Sequence, residues 1–406
     1  MVPFQFTPTE RNTMTGMTCK GFKACGVAAG LKKDGALDLG LLVSDRPAAV
    51  AAVFTQNRVV AAPVTLDRER VRCGVAQALI VNSGNANCAT GEAGMAAARS
   101  MTAATAAALA ISEVHVLAAS TGVIGAPFPI HKVTTAIPEL VGSLDAGGIP
   151  DLARAIMTTD TRPKTGLREG GQPLPYRIVA VAKGAGMIRP DLATMLCFVV
   201  TDARIAADAL KGALQSAVAA SFNRITIDGD TSTNDTVILM ANGASGAAIE
   251  TDDHRAVFAQ LLADLLKDLA RQMVQDGEGV TKLVDLTVRG ARSDADAQAI
   301  ADVIAHSALV KTAFFGEDAN WGRIVAAAGR PGVFLDPDRL SLHFDDVQMV
   351  DGGTGCGDDA ERRATAVLKQ PEFSVTLDLH LGDGCAGMLT CDFSLDYIKI
   401  NADYRS

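Results

Sequence analysis

Thr194 stands at the junction of a run with two opposite halves. Before it, Lys183-Gly184-Ala185-Gly186-Met187-Ile188-Arg189-Pro190-Asp191-Leu192-Ala193 carries two Gly and a Pro, which open backbone shapes closed to ordinary residues and disfavour a regular helix or strand. After it, Met195 to Val200 is an unbroken apolar run that reads as a strand buried on both faces. A hydroxyl between a bent loop and a rigid strand is held yet reachable, which suits a nucleophile. The same Thr also fits an ordinary strand-starting residue, and the local residues do not choose between the two.

Two further stretches carry polar groups in telling places. Val114 to Ala119 reads as a strand running into Ser120-Thr121-Gly122, a turn that presents a hydroxyl and a backbone N–H together, as an oxyanion hole requires. Gln275-Asp276-Gly277-Glu278-Gly279 closes a long helix with a carboxylate between two glycines, where the helix dipole does not favour it. Glu278 is then either a solvated side chain or a partner for a cationic group. The amide-dense Asn82-Ser83-Gly84-Asn85-Ala86-Asn87 reads equally as a structured turn or as the wall of a polar pocket. The acidic loop Asp228 to Asp235 has some of the oxygens of a calcium loop but lacks the closing Glu. Six histidines and eight cysteines show no metal-ligand spacing and no Cys-x-x-Cys pair, so no metal site is expected and the cysteines are expected to be reduced.

The elements that must position these groups alternate. Leu37–Val43, Ala49–Phe54, Val59–Leu66, Val75–Val81, Arg177–Ala182, Ile225–Asp228 and Val280–Val288 are expected as strands, and Phe373–His380 and Met388–Ile400 as two closing strands. Gly91–Ala110, part of Ile137–Ile156, Ile205–Ser221, Asp253–Val274, Asp294–Ser307 and Gly357–Lys369 are expected as helices, and Gly166–Pro175 as an exposed connection. With 406 residues, 38 Gly, 4% aromatics and 20% charged residues, the chain reads as a close-packed layered α/β enzyme. Its net charge of −9 gives no general attraction to nucleic acid or to an anionic membrane, so small soluble substrates are expected. No apolar stretch reaches the length of a membrane span, and Met1 to Pro8 lacks the basic start and apolar core of a signal peptide.

Taken in order, Phe54-Thr55-Gln56-Asn57, Val81 to Asn87, Ser120-Thr121-Gly122, Met157-Thr158-Thr159-Asp160-Thr161, the run around Thr194, Asp276 to Gly279, Asn320-Trp321-Gly322-Arg323 and the Asn401-to-Ser406 ending resemble the ornithine acetyltransferase family, also called glutamate N-acetyltransferase. The resemblance implies a self-processing α-β-β-α sandwich, cut between Ala193 and Thr194 into an alpha chain of residues 1–193 and a beta chain of residues 194–406. The two chains form one interleaved catalytic unit and assemble, two of each, as a cytoplasmic heterotetramer. It implies Thr194 as nucleophile and Thr121 and Gly122 as oxyanion hole. Thr158, Lys183, Thr194, Glu278, Asn401 and Ser406 correspond to its substrate-binding positions.

The reaction so implied is ping-pong transfer of the acetyl group of N-acetylornithine to glutamate in arginine biosynthesis. No cofactor is called for, and whether acetyl-CoA is a co-substrate stays open. The free α-amine of Thr194, with a reference pKa of ~7.7–8, would serve as base to its own hydroxyl. The sequence departs from the family pattern at Ala319, often Pro, and at Ser406, often Thr. Two other readings remain: an N-terminal-nucleophile amidohydrolase or aminopeptidase on the same fold, and an unprocessed binding protein.

Overall fold

A computed structural model of the chain describes residues 16–171, 175–189 and 195–403. By compactness the chain divides into two units, one of Met1–Gly184, Asp191–Asn223 and Thr231–Leu269, the other of Ala185–Pro190, Arg224–Asp230 and Ala270–Ser406. The expected products, 1–193 and 194–406, do not follow these units, and each contributes strands to the first sheet.

The first unit is built on one eight-stranded sheet. It contains β1 (Phe22–Val27), β2 (Leu39–Phe54), β3 (Val75–Asn82), β4 (Val116–Ser120), β5 (Lys164–Gly170), β6 (Tyr176–Lys183), β7 (Leu196–Thr201) and β8 (Thr236–Ala241). Their order is β4-β3-β2-β8-β7-β6-β5, with β1 also on β2. The 16-residue β2 is the hinge of this arrangement. Its pairing with β3 slips between Val43 and Ala48, around Pro47, which has no N–H to give a ladder. Its first half pairs with β1 and β3 and its second half with β8, so a single strand serves two layers.

Alternation along the strands shows how the layers stack. Leu79, Val81, Leu117 and Ala119 share one core with Val179, Val181, Phe198, Val200, Ile238 and Met240, the face where the two layers meet. The intervening Ala78, Ile80, Val116 and Ala118 face the other way, against Met101 of α2 (Gly91–Leu109) and Val133, Ile137 and Leu140 of α3 (Ile130–Gly142). On the far side, Gly166 lies under Leu265 and Tyr176 meets Phe258, both of α6 (Asp252–Gln275). The expected layered α-β-β-α sandwich is therefore found. The unit also holds α1 (Ala62–Arg70), α4 (Ile149–Ala155) and α5 (Ala207–Ala219).

The second unit has a six-stranded sheet of β9 (Leu283–Ala291), β10 (Ser341–Phe344), β11 (Val347–Asp351), β12 (Thr354–Gly355), β13 (Glu372–Asp378) and β14 (Gly384–Cys391), in the order β12-β11-β10-β13-β9-β14. Its helices are α7 (Asp294–Ala305), α8 (Ala308–Phe315), α9 (Trp321–Ala328), α10 (Asp358–Leu368) and α11 (Leu395–Ala402). Val284, Leu286 and Val288 of β9 and Ile300 and Ile304 of α7 lie at the centre of its core. Among the described residues no helix is long and apolar enough to cross a membrane.

Four expectations are corrected. Val59–Leu66 is not a strand: Pro63 sits in the first turn of α1, where a missing N–H costs nothing, and the buried Asp67 carboxylate takes the Ala118 N–H of β4. Gly166–Pro175 is not simply a connection, because Lys164–Gly170 is the polar edge strand β5 paired with β6. Ile225–Asp228 makes one bridge, to Leu389, and Ile227 N–H then turns to Ile188 O instead of continuing a ladder. The last strand ends at Cys391, since Ser394 accepts the Tyr397 N–H and starts α11.

Candidate active site

In the first unit the strand ends carry the polar groups. β4 runs into Thr121 and Gly122, and Gly122 has φ of +130°, a region that side chains rarely enter. A Cβ there would lie 2.4 Å from the Gly84 carbonyl carbon, so the turn is pressed against the amide-dense loop. That loop spends its amides on backbone carbonyls: Asn82 Nδ2 donates to Asn85 O, Asn85 Nδ2 to Pro127 O and Asn87 Nδ2 to Gly94 O. Ser120 Oγ donates to Asn82 Oδ1 at 2.6 Å. The structured-turn reading of Asn82 to Asn87 is the one the geometry supports.

Thr121 N–H donates to Asn82 O, which fixes its backbone. Its hydroxyl receives a bond from Lys183 Nζ at 3.4 Å. Lys183, the last residue of β6, is only 2% exposed and is no surface lysine. Behind it lies Asp160, which sequence reasoning passed over although it sits in the Met157 to Thr161 motif. One of its oxygens accepts from Lys164 Nζ and from Gly184 N–H, each at 2.7 Å, and the other from Thr158 N–H at 3.0 Å. Burial alone would raise the Asp160 carboxyl, but the Lys164 and Lys183 ammoniums and these bonds outweigh it and hold the group well below the usual carboxylate range. Asp160 thus ties the backbone at Thr158 to the backbone beside Lys183.

This fixes a pH dependence. An unfolded Asp titrates near ~3.9, and the folded value of Asp160 lies below it. The ionised form therefore stabilises the fold in full above the unfolded value, and that contribution is lost as pH falls toward the folded one. Asp160→Asn should lower stability at neutral pH and flatten its decline in acid. Urea unfolding at a series of pH values reads this, and parallel curves for the two proteins would count against it.

In the second unit, Glu278 is 7% exposed, so it is not a solvated side chain. Its N–H donates to Ala185 O at 2.8 Å, and its Oε2 accepts from Asn401 Nδ2 at 2.8 Å. Gly186 makes room for it, since a Cβ there would lie 2.6 Å from the carboxyl carbon. The Asp228 carboxylate anchors the same loop by accepting the Met187 and Ile188 N–H groups, at 2.5 and 2.8 Å, and the Tyr397 hydroxyl. Met187 is thereby held at φ of +57°. Burial raises the Asp228 carboxyl in spite of those N–H bonds. Its oxygens are spent on backbone N–H groups and one hydroxyl.

The geometry thus groups Thr121, Gly122, Thr158 and Lys183 in one unit and Glu278 with Asn401 in the other. Ala193, Thr194 and Ser406 lie outside the described residues. Among those residues no group of three or more His, Cys, Asp or Glu side chains is arranged to hold a metal ion. The layered α/β fold thus carries a hydroxyl–glycine turn backed by a buried ammonium.

Comparison with known proteins narrows this. Residues 23–406 match the ArgJ family. The arginine biosynthesis bifunctional protein ArgJ of Geobacter sulfurreducens is 54% identical over 96% of this chain and 100% of its own length. That of Syntrophotalea carbinolica is 50% identical over 95% of this chain and 99% of its own. A crystal structure of the Bacillus halodurans arginine biosynthesis bifunctional protein aligns at 40% identity with a TM-score of 0.48, over 50% of this chain and 97% of that one. The chain belongs to the ArgJ family. The resemblance read from the motifs is borne out, and the chain is an acetyltransferase of that family.

Proposed function

We propose that the chain cuts itself between Ala193 and Thr194 and then transfers the acetyl group of N-acetylornithine to glutamate. In the first reaction Thr194 Oγ attacks the Ala193 carbonyl, the peptide C–N bond breaks to leave an ester, and water hydrolyses it. The products carry a carboxylate on Ala193 and a free amine on Thr194. That amine then takes the proton of its own hydroxyl as Oγ attacks the acetyl carbonyl. Ornithine leaves with the proton, and glutamate attacks the acetyl-Thr194 ester in turn. Thr121 hydroxyl and Gly122 N–H face the developing oxyanion.

What supports this reading most is the buried Lys183–Thr121 contact beside the left-handed Gly122, which places a cation, a hydroxyl and a forced turn together. Lys183 suits a substrate carboxylate and Glu278 a substrate ammonium, with Thr158, Thr194, Asn401 and Ser406 completing the contacts. The name "bifunctional" carried by relatives of 50% identity and more favours acetyl-CoA as a second acetyl donor to glutamate. No other cofactor is needed, and assembly is as a cytoplasmic heterotetramer of two chains of each kind. The test measures N-acetylglutamate formed from N-acetylornithine and glutamate, and separately from acetyl-CoA and glutamate. Release of acetate with no N-acetylglutamate would turn the reading into the hydrolase alternative.

Gly186→Ala probes the Glu278 arm. The new methyl meets the far end of a flexible side chain, so the carboxylate moves and its bond to Asn401 breaks while the fold stays. Losing a charge-assisted contact of about 1.5–3 kcal/mol raises KM for N-acetylornithine roughly tenfold or more. An unchanged KM in steady-state kinetics would remove Glu278 from substrate binding.

A further inference from the structure

The loop that leads into β8 is the acidic stretch singled out in the sequence, and nothing in the reaction above uses it. Its groups are spent on several other segments. Ser232 O accepts the Thr55 hydroxyl at 2.6 Å, and Thr233 O accepts the Ala61 N–H at 3.0 Å. Asn234 Nδ2 donates to Ser120 O at 2.8 Å and to Ala86 O at 2.6 Å. Asp235 Oδ1 accepts the Met195 N–H at 2.9 Å, and Thr236 N–H returns a bond to Met195 O at 3.2 Å.

The contacts of Asn234 with Ser120 and of Asp235 with Met195 fall on particular peptides. Ser120 O belongs to the peptide that carries the Thr121 N–H, the unit just before the oxyanion donors. Met195 N–H belongs to the peptide that carries the carbonyl of residue 194. Consecutive side chains, both buried, therefore grip one peptide on each side of the reaction. We propose that Asn234 and Asp235 are positioning residues that set the spacing between the oxyanion donors Thr121 and Gly122 and the nucleophile Thr194. This rests on the acyl-transfer reading above.

A simple loop tie would not need an acid here. Asp235 Oδ2 is buried with no hydrogen-bond partner among the described residues, and burying a carboxyl so is costly. Burial pushes the carboxyl well above its usual range, against the pull of the Met195 N–H, the nearby Ser232 and Thr55 hydroxyls and the Lys183 charge. Its Oδ1 acts toward Met195 only as an acceptor, a role that an amide oxygen can imitate.

The test uses the full chain, with the cleaved fraction read by denaturing mass and folding by thermal unfolding. Asn234→Ala should lower kcat for N-acetylornithine-to-glutamate transfer by roughly tenfold or more, the scale of a small misplacement, and leave KM within about twofold. In a Thr121→Ala background the same change should cost much less, because the group it positions is gone. Asp235→Ala should behave likewise, and Asp235→Asn should recover most of that loss. Losses that multiply in the Thr121→Ala background, a raised KM at constant kcat, or an Asn variant as poor as Ala would each overturn the proposal. If Asp235→Ala does not fold, the Asn234–Thr121 cycle alone decides. A wild-type protein that transfers no acetyl group would instead bring down the acyl-transfer reading, and the proposal with it.

Discussion

Thr194→Ala protein is expected to remain one 406-residue chain and to transfer no acetyl group. One hydroxyl is asked to do two jobs in succession, so its removal should abolish both. The second loss does not merely follow from the first. Even if residue 194 acquired a free amine by other means, an Ala there offers no oxygen to carry the acetyl group. Loss of a covalent nucleophile of this kind typically costs on the order of 10⁶ in kcat. Denaturing mass spectrometry and the transfer assay read the two effects separately. Normal appearance of fragments 1–193 and 194–406 in the variant would remove Thr194 from the cleavage.

Gly122→Ala is expected to fold less stably and to lose transfer by roughly 10²–10³, the scale of one oxyanion donor. Two independent constraints meet at this residue. Its φ of +130° strains any side chain, and the added methyl would press on Gly84 and Asn85 backbone at 2.4–2.6 Å, which cannot swing aside as a side-chain tip can. The turn must therefore move, taking its N–H with it. Gly125→Ala separates the two constraints, because Gly125 is also left-handed at +81° but has nothing within 4 Å of the position of a Cβ. It should cost stability, about 1–3 kcal/mol of backbone strain, while kcat stays near the wild-type value. Equal losses of kcat in the two variants would mean that strain rather than donor geometry is being read.

Much of this fold was legible because its periodicities are clean. β3, β6 and β7 are apolar runs of strand length, and α2 and α6 are long helices with clear ends. Where the reading failed, tertiary partners decided. α1 looked like a strand because Val59, Val60, Val64 and Thr65 are β-formers, but as a helix it brings Asp67 to the Ala118 N–H and Arg70 to the Val116 carbonyl of β4. β5 looked like a connection because an edge strand can be polar. At the site, Thr121, Gly122, Lys183 and Glu278 were visible as unusual residues in unusual places. Asp160, Asn234 and Asp235 were not, because their work is done through backbone groups of segments distant in sequence, and a contact of that kind leaves no local pattern.

The strands on either side of the proposed cut have a consequence for the order of events. β6 ends at Lys183 and β7 begins at Leu196, and the two pair antiparallel from Lys183–Leu196 to Ile178–Thr201. Cutting the chain between them removes a covalent link but no rung of this ladder. Neither fragment made alone would have it: residues 1–193 would present β6 as a bare edge, and residues 194–406 would present β7, both almost wholly apolar. Such edges invite pairing with the wrong chain. If the chain is cut as proposed, synthesis as one polypeptide would give each fragment its proper neighbour at equal stoichiometry and at once. On the proposed cleavage, the precursor would act as its own assembly chaperone, discharged by the reaction that activates it.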